Sequence, residues 1–300
     1  MFKASKIASF SEREQMAAAS PLVSVIIPYY KQEAYIAETI QSVEQQTYSN
    51  IEIIVVDDGS PLPAQSVLGD RNNVLIFRTE NQGCPAARNF GFRRSSGDFL
   101  LFLDSDDRLT SGAVEAHLQT LLTHSDSVLS FGSARIIDKS NKELRGPSIC
   151  RPRSNYFPMF LEGNPIACPG AAMLRRDAFI EAGLFDESFR IVEDYRLYLK
   201  LTRMHRIVQL NSCVVEYRFH GGNASSNKEA MLKATLEALD CLEAEFPLTP
   251  IERTRLSHGR KRWQHMFRPQ NTLAYKLKNL YYKVHAMKGV PLRSYLRSGS

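Results

Sequence analysis

Four short apolar runs, at residues 22–27, 51–56, 74–77 and 99–103, leave this chain few folds to choose from. They are built largely of β-branched and other large apolar side chains, and they read as near-continuous hydrophobic segments. Between them, Ile36, Ile40 and Val43 recur at helical spacing, a short helix fits from Pro85 to Arg94, and Val114, Leu118 and Leu121 mark another. Continuous apolar strands alternating with helices require a mainly parallel sheet covered on both faces, an α/β fold. Ligands of such sheets lie beyond the carboxyl ends of the strands. Two of these strand ends are acidic: Asp57-Asp58-Gly59-Ser60 and Asp104-Ser105-Asp106-Asp107.

Composition narrows the class. With 300 residues, 43% of them hydrophobic and 23% charged, the chain is globular and has room for one large domain with an appendage. Its apolar runs fall far short of the roughly 18 residues that span a bilayer. The first twenty residues carry no secretory pattern. Five cysteines at irregular spacing, with no C-x-x-C pair, argue against a disulfide framework or a structural zinc site. A reducing, cytoplasmic setting is the expectation. The net charge of +6 is uneven: residues 251–300 carry twelve Lys or Arg against the single acidic Glu252, and the rest of the chain is net acidic. The expected organisation is an N-terminal extension (1–20), a main α/β domain (21–225) and a basic helical C-terminal segment (226–300). A helix beginning near Glu193, strands near Val128 and Val214, a helix over 229–245 and a linker at Pro247 and Pro250 complete the reading.

Asp104, Asp106 and Asp107 put three carboxylates into four residues at the end of a buried strand. Mutual repulsion raises their pKa values unless a cation neutralises them, and a hard divalent ion such as Mg²⁺ or Mn²⁺ does so with oxygen ligands plus substrate phosphates. A solvated turn capping the next helix is the competing reading. Asp57-Asp58-Gly59-Ser60 alone is ordinary turn chemistry; two acidic ends on one sheet edge point to a polyphosphate or nucleotide. Arg88 is a phosphate contact or a surface salt bridge. His220 is a metal or diphosphate ligand, or a hydrogen-bonded histidine beside Gly221-Gly222. Glu193-Asp194 opens a helix, where an acid serves as a general base or simply as a cap.

The motifs Val23-Ser-Val-Ile-Ile-Pro28-Tyr-Tyr, Glu52 to Ser60, Asn81-Gln-Gly-Cys-Pro-Ala-Ala-Arg-Asn89-Phe-Gly91, Gly97 to Asp107, Phe185-Asp-Glu, Glu193-Asp194 and Tyr217-Arg-Phe-His220 stand in the order and spacing of family 2 glycosyltransferases, which the chain resembles over about residues 21–225. The resemblance implies a GT-A-type, Rossmann-like sheet. It implies that Pro28, Tyr30, Glu33, Asp58, Arg88, Asp104 and Ser105 hold the nucleotide, with Pro28 and Tyr30 along the base, Asp58 accepting from a base N–H and Asp104 on the ribose. It implies Asp106 and His220 as ligands of Mn²⁺ or Mg²⁺, Asp107 as their support, Asp194 as general base and Glu193 as its acceptor-facing neighbour. Lys31 stands where the family often has asparagine.

The implied reaction is an inverting transfer of a sugar from a nucleotide diphosphate, UDP by family weighting, to the hydroxyl of a glycan or lipid-linked acceptor in cell-surface polysaccharide synthesis. The basic segment 251–300, with Arg260-Lys-Arg-Trp263, Lys276-Leu-Lys278 and Tyr281-Tyr-Lys283, suggests peripheral contact with the inner membrane face, or a helix made basic for solubility or a partner. Nucleic acid is disfavoured by the acidic main body. A sugar-nucleotidyltransferase would need a Gly-rich, Lys-containing phosphate loop after the first strand, and none follows here. A phosphoacceptor receiver module would begin with its acidic strand, and a non-catalytic nucleotide-sugar-binding protein would not need Asp106 and Asp194 intact.

Overall fold

The computed structural model describes residues 20–147 and 153–267. Among them nine strands join one sheet: β1 (Val23–Tyr29), β2 (Ile51–Asp58), β3 (Val74–Thr79), β4 (Phe99–Phe102), β5 (Arg108–Leu109), β6 (Ser127–Ile137), β7 (Glu143–Arg145), β8 (Ala172–Arg175) and β9 (Arg206–Arg218). The helices are α1 (Ile36–Glu44), α2 (Ala64–Leu68), α3 (Cys84–Arg94), α4 (Ala113–Thr123), α5 (Phe157–Glu162), α6 (Arg176–Glu181), α7 (Glu193–Met204), α8 (Lys228–Glu245) and α9 (Pro250–Met266).

The strand order is β3-β2-β1-β4-β8-β6-β9-β5, with β7 paired to β6. The four apolar runs form the parallel half, in which Val25 of β1 lies between Ile53 of β2 and Leu101 of β4. Every residue of β1 and β4 is buried, which is why neither alternates in polarity. The chain runs from β1 outward to β2 and β3, then crosses back to place β4 on β1's other side. That reversal opens a crevice at the carboxyl ends of β1 and β4, where open α/β sheets bind ligands. The second half is mixed: β8 is antiparallel to β4 and β6, while β6 and β9 run parallel.

Helix α3 settles on β1 and β2 because Gly91 lets it: a Cβ there would stand 2.5 Å from Ile26 Cγ2 and 3.1 Å from Val56 Cγ2. Helices α8 and α9 belong to the same core, through Leu239, Leu242, Leu256 and Trp263. Pro247 and Pro250 do not mark a loose linker. Residues 246–249 make a tight connection, Pro250 occupies the first turn of α9, and Thr249 with Glu252 forms a capping box. The cations of α9 are largely spent within the fold: Arg253 pairs with Glu243 at 3.0 Å, Arg255 with Glu162 at 2.7 Å, and Arg260 with Glu243 at 2.9 Å and with Asp240. Lys276, Lys278 and Lys283, like residues 1–19 and Cys150, lie outside the described residues. The other four cysteines are free thiols. No helix among the described residues is long and apolar enough to cross a membrane.

Replacing Gly91 by alanine forces α3 away from both strands. We expect Gly91→Ala to lose about 1–3 kcal/mol of unfolding free energy, the usual cost of overpacking a core; denaturant titration that finds no loss would contradict this packing.

Candidate active site

A cleft of about 490 Å³ opens beyond the carboxyl ends of β1, β2 and β4. Pro28, Tyr30, Asp58, Arg88, Asp104, Ser105, Asp106, Glu193 and Asp194 all line it, so residues far apart in the chain share one pocket. Glu33 is not among the lining residues. His220 reaches the site through Asp106.

The two acidic strand ends divide their labour. Asp57 is turned inward, accepting from the Ser60 and Ala64 amides at 2.8 and 2.9 Å and pairing with Arg78 at 3.0 Å, so it shapes the turn into α2. Asp58 faces the cleft, and its two oxygens accept from the amides of Gln82 and Gly83 at 2.8 and 2.9 Å, which fixes the carboxylate in place. After β4, each aspartate is met by a different element. Asp104 pairs with Arg88 of α3. Asp106 accepts from His220 Nε2 at 2.8 Å and from Gln32 Nε2 at 3.3 Å. Asp107 is fully buried and accepts from the Arg218 amide at 2.8 Å, and its second oxygen has no partner among the described residues. Burial and then the neighbouring Asp104 push the Asp106 carboxyl up, and burial and then Asp106 push Asp107 further up. The tetrad is therefore no solvated turn.

His220 stacks on Tyr35 with ring centroids 5.3 Å apart, and its Nδ1 accepts from the Gly222 amide at 3.2 Å. That bond assigns the hydrogen to Nε2, which donates it to Asp106.

Arg88 is 2% exposed and bridges Asp104 to Glu193, the first residue of α7. Of the two readings open from sequence, this is a salt bridge, though buried rather than on the surface. Glu193 is thereby occupied: burial pushes its carboxyl up and the guanidinium works against that. Asp194, next to it, is only partly covered and opens on the cleft; its Oδ1 accepts from the Tyr195 amide at 2.7 Å. Burial first, and then the Glu193 charge, push it up to about 7. The pair is presented by Val192, whose left-handed φ of 61° costs a β-branched residue about 1–3 kcal/mol.

Lys31 also takes a left-handed conformation, φ 56°, with its amide donating to Ser60 Oγ at 3.0 Å and its ammonium 4.9 Å from the Tyr30 ring centroid. Asparagine tolerates this backbone better than lysine does, which accounts for the family's preference there. Sequence reasoning missed Gln32, Tyr35, Arg190 and Arg218. None has a local signal except Arg218, which stood inside the quoted Tyr-Arg-Phe-His run. Asn81 and Gly83 were quoted in a motif but given no role, and both line the cleft.

Comparison with known proteins settles the family. The model of the family described as Glycosyl transferase family 2 matches residues 24–183, more than half of the chain. The chain belongs to this family. A Rickettsia typhi protein called an uncharacterized glycosyltransferase is 30% identical over 222 residues, 69% of this chain and 67% of that one. A Bacillus subtilis protein named as a teichuronic acid biosynthesis glycosyltransferase, TuaG, is 29% identical over 221 residues, covering 72% of this chain and 86% of its own. The chain spans only about a third of the length of its Rickettsia felis and Rickettsia bellii relatives, 35% and 29%. The solved structure of S. aureus TarS 1-349 in complex with UDP-GlcNAc shares the fold, with TM-score 0.64 and 19% identity over 81% of this chain and 73% of that one. The family model ends before Glu193, Asp194 and His220, so their place in the site rests on the geometry above.

Removing the Arg88 charge from this family 2 protein strands two carboxylates in the interior. We expect Arg88→Met to cost about 3–5 kcal/mol, as broken buried ion pairs do, measured by chemical denaturation at neutral pH; a loss under about 1 kcal/mol would show that the bridge is not structural.

Proposed function

We propose that the protein transfers a sugar, with inversion, from a nucleoside diphosphate sugar of the UDP class to the hydroxyl of a cell-surface glycan acceptor. The observation that carries this reading is the convergence of Asp58, Asp104, Asp106 and Asp194 on one cleft. The cleft also suits the chemistry of the donor. Asp58, held by two amides, keeps lone pairs for a base N–H; Asp104 beside it suits ribose hydroxyls; Pro28 and Tyr30 offer flat apolar surface to the base. The UDP-GlcNAc named with TarS and the teichuronic acid biosynthesis named with TuaG agree in class with this assignment.

Asp194 acts as the general base, taking the proton of the acceptor hydroxyl as that oxygen attacks the anomeric carbon and the nucleoside diphosphate leaves from the opposite face. Glu193, tied to Arg88, has no free role in proton transfer and serves to hold α7.

Asp106 Oδ2 and His220 Nε2 stand 2.8 Å apart as one hard oxygen and one nitrogen donor. With its ring hydrogen moved to Nδ1 and the Gly222 contact given up, His220 Nε2 would hold Mg²⁺ or Mn²⁺ together with Asp106. Among the described residues no three His, Cys, Asp or Glu side chains form a ready metal cage. When bound, the ion neutralises charge on the departing diphosphate. We expect chelation to abolish transfer and to weaken UDP binding measured by calorimetry, and Mn²⁺ to restore both. Unchanged UDP affinity and turnover in excess chelator would remove the metal from the scheme.

Asp194→Asn should keep UDP affinity within about twofold and cut transfer by about 100-fold or more, the usual weight of general-base catalysis. Because the base works only when deprotonated and its carboxyl sits at about 7, kcat/KM of the parent should rise with pH through that value and level off above it. Turnover of Asp194→Asn within a few-fold of the parent, or a profile flat from pH 6 to 8, as test conditions, would assign the base elsewhere.

A further inference from the structure

The cleft is short of positive charge for the ligand assigned to it. Asp58, Asp104, Asp106, Glu193 and Asp194 line it, and among its lining residues the lysines and arginines are Arg88 and Arg190 alone. Arg88 is consumed by Asp104 and Glu193. A nucleoside diphosphate brings further negative charge into a wall that already repels it. A metal on Asp106 would meet only part of this need.

Arg190 is exposed and makes no ion pair or hydrogen bond among the described residues. Its position is nonetheless set. Helix α3 pins the loop that carries it, residues 185–193, at three points. Asn89 exchanges hydrogen bonds with the Phe185 backbone at 2.9 and 3.1 Å and donates to Glu187 at 2.8 Å, and Arg88 holds Glu193. Between these anchors the Arg190 guanidinium lies against Gly83, where a Cβ would come within 3.1 Å of Nη1. Gly83 has φ 98°, so glycine serves there both for the backbone and for the room it leaves. A guanidinium held at the wall of an acidic cleft, yet paired with none of its carboxylates, is available to an incoming anion. Arginine suits that task because its planar fork matches phosphate oxygens.

We propose that Arg190 is the protein's own cationic contact to the diphosphate of the donor nucleotide. The proposal rests on the donor assignment above. It makes one loop carry both ends of the reaction, with Arg190 on the leaving group and Asp194 on the attacking hydroxyl.

Calorimetry on the full chain with Mn²⁺ present, using UDP and uridine as probes, separates the possibilities. Arg190→Gln should weaken UDP about tenfold or more, the lower range for a charged hydrogen bond, leave uridine unchanged and leave the melting temperature unchanged, since the side chain is exposed. Arg190→Lys should recover part of the UDP affinity. Equal UDP affinity in Arg190→Gln and the parent, or an equal loss for UDP and uridine, would overturn the assignment. A parent protein that binds neither probe would overturn the donor reading itself, and the role of Arg190 with it.

Discussion

A guanidinium buried in the interior must be neutralised where it stands, and at Arg88 that requirement draws the site together. Its two partners come from distant parts of the chain: Asp104 follows β4, and Glu193 begins α7, which carries the proposed base Asp194. Burying these charges singly would cost several kcal/mol each, so α3, the β4 end and α7 are held in one arrangement. The chemical consequence is selective. Glu193 is spent on Arg88, and Asp194 remains as the carboxylate on that side that is free to meet an acceptor. A site with one free carboxylate there suits single displacement; the double displacement used by retaining enzymes calls for a carboxylate nucleophile as well.

The three aspartates after β4 show the same logic of distribution. Crowded like charges would raise one another's pKa and loosen the turn, but Arg88, His220 and the Arg218 amide each take one of them. Arg218 does more: fully buried, it donates from Nε to the Asp106 carbonyl at 2.8 Å and pairs with Glu38 of α1 at 3.0 Å. It also stacks over Tyr35, whose ring supports His220. One arginine thus fixes the backbone of Asp106 and the partner of its side chain.

How much of this could be read beforehand follows the range of the interactions. The parallel half of the sheet was legible because β1, β2 and β4 announce themselves by local apolar runs, and α3 by Pro85 in its first turn. The acidic strand ends were legible because a carboxylate cluster on a buried strand is costly without a partner. The fate of Arg88 was not: its partner Glu193 is 105 positions away, and nothing local distinguishes a phosphate contact from a buried bridge. The mixed half of the sheet was hidden for the same reason, since β8 inserts between β4 and β6 by pairings that no local periodicity encodes. Lys31 departs from the family pattern at a left-handed position, which asparagine occupies at less cost than lysine. Pro250 reads as a linker in the sequence because a proline at the first turn of a helix looks, without its Thr249 cap, like a breaker.

Whether one free base operates at this site is decided at the anomeric carbon. Proton NMR of the sugar first released as the metal-loaded protein hydrolyses an α-linked UDP-sugar reads that configuration before mutarotation blurs it. Single displacement with Asp194 as base predicts the β-anomer first. Release of the α-anomer first would contradict single displacement and the role assigned to Asp194.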